Sequence, residues 1–150
     1  MNILNQNMAN KIFLDTNILV DYTLERVGEL DEIGKIFDLA EEKKIDLYIS
    51  ESVLATTIYF LQKNNQKKTL IIIREISKIL NFLTFEKDIL LYSLEQFKDV
   101  EDGLLYFIAL KADMQYFITR NIKDFKYISP SLPVLTPSQY LKEIYLNDLP

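Results

Sequence analysis

The chain predicts an α/β fold in which a mostly parallel sheet of about five strands carries helices on both faces. Three observations lead there. Short apolar, β-rich runs alternate with longer segments of helical periodicity. Runs such as Lys11–Leu14 and Asp46–Ile49 end at a polar residue where a helical pattern opens. The connections are also long enough for right-handed crossovers between parallel strands. With 150 residues, 49% of them apolar and 12% aromatic, residues 1–150 are expected to form a single domain around one core.

Lys11–Leu14 is the first strand, and Asp15 follows it at a polar turn where a helix begins. Glu29–Lys44 sets Ile33, Ile36, Phe37 and Ala40 at helical spacing, with acids early and Lys43 and Lys44 late, matching the helix dipole. Asp46–Ile49 is the second strand. Ser50 is placed to cap a helix over Glu51–Lys63, and the Asn64-Asn65 break separates it from a second helix over Gln66–Leu80. Asn81–Phe85 is the third strand, followed by helices over Glu86–Phe97 and Val100–Ala112; Gly103 weakens the latter slightly. Tyr116–Thr119 is a fourth strand feeding the polar run Arg120–Phe125. Val134-Leu135 is the last strand, after which Thr136 as cap and Pro137 at the first helical position open a helix to about Leu146.

Composition removes whole classes of chemistry. There is no Cys and no His, which excludes disulfides, thiolate nucleophiles, Cys/His zinc sites, His general bases and Ser-His-Asp triads. Three glycines leave no phosphate-binding glycine loop. A net charge of −5 argues against a protein that coats nucleic acid through a basic surface, yet permits a local basic rim around an acidic centre. No apolar stretch reaches the roughly 20 residues of a membrane span. The N-terminal MNILNQNMAN lacks the parts of a signal peptide, so a soluble, cytoplasmic protein with no membrane partner is expected.

In open α/β sheets, ligands bind beyond the carboxyl ends of the strands. The residues that gather there are Asp15, Thr16 and Asn17, then Ser50 and Glu51, then Thr119 to Asp124; Asp99 and Asp102 flank the helix before the fourth strand. Hard oxygen donors without His or Cys suit Mg²⁺ or Mn²⁺. Clustered carboxylates repel unless a cation or protons offset them. Each piece also has a plainer explanation. Asp15 could be only a helix cap, Asp99 and Asp102 could simply complement a helix N-terminus, the stronger reading for Asp99, and Asn121 and Asp124 could be turn formers.

The stretches IFLDTNILVDY (Ile12–Tyr22), DVEDGLLYFIAL (Asp99–Leu110) and YFITRNIKDF (Tyr116–Phe125) resemble the three sequence blocks of PIN-domain proteins, in order and at about the expected spacing. LPVLTPSQYL (Leu132–Leu141) is similar to the closing strand and helix of bacterial PIN proteins, especially VapC-type toxins. The resemblance implies a three-layer α/β/α sandwich bearing a Mg²⁺- or Mn²⁺-dependent endoribonuclease centre. It implies catalytic roles for Asp15, Asp102 and Asn121, with Asp15 and Asp102 as metal ligands, and Asp99 is placed to join them by orienting metal-bound waters. Thr16, Asn17, Thr119 and Asp124 would support them, and Arg120, Lys123 and Lys126 would contact RNA phosphates. Lys63, Lys67, Lys68 and Arg74 form a further basic strip, equally explained as a solvated helix face. Implied partners are an RNA substrate, a small antitoxin protein and a second copy in a homodimer.

One departure stands out. The second acid usual in PIN proteins falls on Thr56 of ISESVLATTIYFL (Ile49–Leu61), a supporting residue whose hydroxyl can hydrogen-bond a metal-bound water but brings no negative charge; Glu51 is a turn or more away. The alternative is therefore a catalytically weakened PIN-like module that binds protein or RNA. A phosphatase or phospho-acceptor domain with Asp15 as nucleophile is a third possibility, disfavoured because Asp15-Thr16-Asn17 lacks a second aspartate two residues on.

Overall fold

A computed structural model describes residues 11–96, 99–125 and 131–145. Five strands, β1 (Lys11–Leu14), β2 (Asp46–Ser50), β3 (Leu80–Leu83), β4 (Tyr116–Ile118) and β5 (Val134–Leu135), form one sheet in the order β3-β2-β1-β4-β5. Each neighbouring pair runs parallel. Parallel strands need crossovers, and helices supply them. α1 (Thr16–Thr23) and α2 (Leu30–Glu41) link β1 to β2, α3 (Glu51–Lys63) and α4 (Thr69–Ser77) link β2 to β3, and α5 (Lys87–Gln96) and α6 (Val100–Lys111) lead to β4. α7 (Pro137–Tyr140) follows β5 and runs on as a π-helical turn over Leu141–Tyr145.

α1 packs on α2 and α3, α3 on α4, and α5 on α6, giving the expected α/β/α sandwich. Covered on both faces, the central strands read as continuous apolar runs rather than alternating ones. Ile12, Phe13 and Leu14 are fully buried, as are Phe117 and Ile118 beside them. The Phe13 and Phe117 rings stack with centroids 5.4 Å apart, clamping β1 to β4. The Tyr106 hydroxyl donates to Leu132 O and accepts from Leu132 N, both at 3.2 Å, so α6 anchors the backbone that leads into β5.

The expected elements are present, with shifted ends. The helix expected over Glu29–Lys44 stops at Glu41, because Lys43 turns into the left-handed region at φ 60°. There Lys43 N donates to Ala40 O and Lys44 N to Leu39 O, a Schellman closure. With so few glycines, the chain builds the same closure on Glu25, Asn65 and Asp113 after α1, α3 and α6. The helix expected over Gln66–Leu80 is confined to Thr69–Ser77. Leu80 instead opens β3 opposite Leu47, and β3 ends at Leu83 opposite Ser50, where β2 also ends. The final helix is α-helical only to Tyr140, with Leu146 outside the described residues. Among the described residues, no helix is long and apolar enough to cross a membrane.

Candidate active site

The strand order reverses at β1, with β2 and β3 to one side and β4 and β5 to the other. Such a reversal opens a crevice beyond the carboxyl ends of the two central strands. Leu14 is in register with Ile118, so Asp15 and Thr119 leave β1 and β4 side by side at that crevice. Asp15 N donates to Ile118 O at 2.9 Å, which prolongs the ladder by one bond.

Asp15 is only 5% exposed. Its Oδ1 accepts from Thr16 N at 2.8 Å as the cap of α1, while its Oδ2 accepts the hydroxyl of fully buried Thr119 at 2.7 Å and Asn17 Nδ2 at 3.4 Å. Asp15 is thus a helix cap and a member of the acidic group at once. The Thr119 oxygen in turn accepts from Asn121 N at 3.2 Å, and Asn17 Oδ1 accepts from Arg120 N at 3.2 Å. Thr119 and Asn17 therefore lash the exit of β4 to the head of α1. Burial raises the Asp15 carboxyl above the ordinary range; the Thr119 and Thr16 hydrogen bonds oppose this, and Glu101 and Asp124 add to it.

The first turn of α6 supplies the facing acids. Asp99 caps it, accepting from Asp102 N at 3.1 Å, as the simpler sequence explanation had it. The half-buried Asp102 carboxyl is pushed up to about 7, first by burial and then by the charges of Asp15, Asp99, Asp124 and Glu101. Charges from three parts of the chain thus bear on Asp15 and Asp102 at this end of the sheet. Glu101 was missed from sequence; its signal was its place beside Asp102 in the first helical turn.

Other expected residues fall less centrally. Asn121 and Asp124 are exposed in and beside a 3₁₀ turn, Ile122–Phe125, with Asp124 N bonded to Asn121 O at 3.2 Å. Thr56 is half-buried on α3, and among the described residues no hydrogen bond joins it to Asp15 or Asp102. Glu51 is exposed in the first turn of α3. Lys123 is exposed, as are Lys63, Lys67, Lys68 and Arg74, whereas Lys126 lies outside the described residues. Arg120, expected to contact RNA phosphates, is held from within the chain: its Nη1 donates to both oxygens of Asp21, at 3.0 and 2.8 Å. Asp21, buried four residues after Asn17 on α1, escaped notice because it falls within an apolar helical pattern.

The donors present fit a hard divalent cation held in an open manner. Among the described residues, no three acidic side chains form a ready cage. Mg²⁺ commonly binds through one or two carboxylates and keeps several waters. Two carboxylates whose negative charge is disfavoured by burial and by neighbouring acids are the groups such a cation would relieve.

Among known proteins, the chain is 30% identical over 138 residues to Ribonuclease VapC1 of Aquifex aeolicus (strain VF5), spanning 88% of this chain and 94% of that protein. Its fold is similar to VapBC2 from Rickettsia felis bound to a DNA fragment from the promoter, with a TM-score of 0.65 at 24% identity over 83% of this chain and 96% of the other. A toxin–antitoxin complex from Klebsiella pneumoniae gives a TM-score of 0.61 at 25% identity, over 84% and 97% of the two chains. The sarcin-ricin loop cleaving toxin VapC20 of Mycobacterium tuberculosis gives 0.58 at 13% identity, over 78% and 96%. The family model for the PIN domain matches residues 11–123, which include both central strands together with Asp15, Asp99, Glu101 and Asp102, and the chain belongs to the PIN domain family.

Proposed function

We propose that this protein is a Mg²⁺- or Mn²⁺-dependent endoribonuclease, a single domain that hydrolyses RNA phosphodiesters as the toxin of a type II toxin–antitoxin pair. The observation that carries the proposal is the approach of Asp15 to Asp102: Asp15 is the foremost charge that raises the Asp102 carboxyl, although 87 residues separate them (102 − 15). Similarity to a protein named as a ribonuclease supports the substrate class.

Asp15 and Asp102 hold the cation in this proposal, with Asp99, Asn17 and Asn121 at its margin. When bound, such a cation lowers the pKa of water and offsets charge gathering on a phosphate. The chain's own part is positional. Thr119 and Asn17 fix the Oδ2 side of Asp15, and Oδ1, which accepts from Thr16 N, keeps a lone pair for a ligand. Asp99 holds the first turn of α6, and so Asp102, by its cap bond. Asp124 and Glu101 add negative potential that favours a divalent ion, and Arg120, Lys123 and Lys126 receive the RNA phosphates. These reactions would take place in the cytoplasm.

A small antitoxin and a second copy of the chain are the proposed protein partners. Two of the similar structures are toxin–antitoxin complexes, and Tyr59, Leu70 and Ile71 stand exposed on α3 and α4, Leu70 at 80%. Large exposed apolar side chains in one region suit a protein-binding surface.

Replacing Asp15 with Ala tests the nuclease centre. Metal-dependent cleavage of single-stranded RNA should vanish while the variant still melts cooperatively; equal activity rules the assignment out. The absence of an acid at Thr56 favours one competing proposal, a PIN-like module that binds protein or RNA without cutting. Thermal melting with Mn²⁺ separates the two, since a ligand present at 100 times its Kd stabilises the folded state by about 2.7 kcal/mol. No shift at millimolar Mn²⁺, with or without RNA, would favour the binding module.

A further inference from the structure

Asp21 lies outside the acidic group, yet it is bonded to the same loop. It is 6% exposed, and both of its oxygens accept from Arg120 Nη1. The Schellman turn after α1 brings Arg26 back beside it: Arg26 N donates to Asp21 O at 2.9 Å, and Arg26 Nη1 stands 3.8 Å from Asp21 Oδ1. The Arg26 guanidinium also lies over the Phe60 ring, 5.7 Å from its centroid. Arg120 is held at its other end as well, where its backbone N–H donates to Asn17 Oδ1.

One carboxylate between two guanidiniums leaves a local surplus of one positive charge, in a chain whose net charge is −5. The Arg120 side chain is 49% exposed, and among the described residues its Nε and Nη2 groups make no hydrogen bond. An arginine fork fixed on one edge and open on the other matches the bidentate geometry of a phosphate. Holding the fork in advance also spares the rotamer freedom that a loose side chain would lose on binding.

We infer that Asp21 is a positioning residue: it fixes the Arg120 guanidinium, with Arg26 beside it, as a seat for an RNA phosphate flanking the acidic site. This rests on the nuclease proposal above. Steady-state cleavage of a single-stranded RNA oligonucleotide with Mn²⁺ tests it, comparing wild type, Asp21→Asn, Arg120→Gln and the double variant. Asp21→Asn should raise KM about tenfold and leave kcat within about twofold, because the group that binds the flanking phosphate has lost its anchor. Arg120→Gln should do the same and reduce the slope of log KM against log salt by about 0.7. The double variant should be no worse than Arg120→Gln alone, since Asp21 acts only through that side chain.

A merely structural Asp21 would instead lower kcat along with melting temperature, and its loss would add to that of Arg120. Unchanged or lower KM in Asp21→Asn, or additive losses in the double variant, overturns the inference. Should Asp21→Asn melt below the assay temperature, Arg120→Lys carries the test: it keeps the charge without the fork, and an unchanged KM there is equally fatal. Wild-type protein that cleaves normally while Asp21→Asn does too sinks only this inference. Wild-type protein that neither cleaves RNA nor responds to Mn²⁺ in melting takes the nuclease proposal down with it.

Discussion

Asp102→Asn should stabilise the metal-free protein at alkaline pH while abolishing its response to Mn²⁺. The Asp102 carboxyl is pushed from 3.8 up to about 7, so the folded state holds this proton more tightly than the unfolded chain does. The associated stability is fully present below about pH 4 and is lost as pH rises through 7. At about 1.36 kcal/mol per pKa unit, three units set a ceiling of about 4 kcal/mol, and solvent reaching the half-buried side chain reduces this to about 2 kcal/mol. Asn occupies nearly the same volume without the charge. For a chain of this size the gain corresponds to roughly 4–8 °C in Tm. Melting in EDTA should therefore show a small difference between Asp102→Asn and wild type near pH 4 that widens steadily to pH 8. With Mn²⁺ the order should reverse, because only wild type offers both carboxylates. A variant that melts at or below wild type in EDTA at pH 8 would show that the acids do not crowd one another and would undo the site's electrostatic basis.

Two further substitutions probe how the site and the frame are held. Thr119→Val keeps the buried shape but removes the 2.7 Å hydroxyl bond to Asp15 and the acceptor for Asn121 N. It should lower stability by about 2 kcal/mol in urea unfolding and reduce metal-dependent cleavage; a loss below about 0.5 kcal/mol would mean that the hydroxyl does not support Asp15. Lys43→Gly relieves a left-handed residue at φ 60° on an exposed turn and should raise stability by about 1 kcal/mol, or roughly 2–4 °C in Tm, whereas an unchanged or lower Tm would contradict the strain assigned to that turn.

Local pattern made most of the architecture legible. Alternation of apolar runs with helical periodicity announced all five strands; the central runs β1 and β4 are buried on both sides of the sheet, whereas the edge strands β3 and β5 are only partly covered. Helix ends were less legible where the usual signal, a glycine, is replaced by a residue that also suits a helix interior, as at Lys43, whereas the Asn64-Asn65 break did mark the end of α3. Within the site, Asp15, Asn17, Asp99, Asp102 and Thr119 could be picked out by their places just beyond strands or at a helix start. Their contacts could not.

The order of residues along the chain settled by itself that no His or Cys is available to the chemistry, and that an acid stands directly after the first strand. Only the folded structure decided which strands are neighbours, and hence that Thr119 meets Asp15 across 104 residues and that Arg120 reaches Asp21 across 99. It also decided that Glu101 adds its charge to Asp15 and Asp102. Periodicity is written in adjacent residues, whereas the pairing of β1 with β4 arises from packing two helical layers onto one sheet, a long-range choice that a local pattern does not encode.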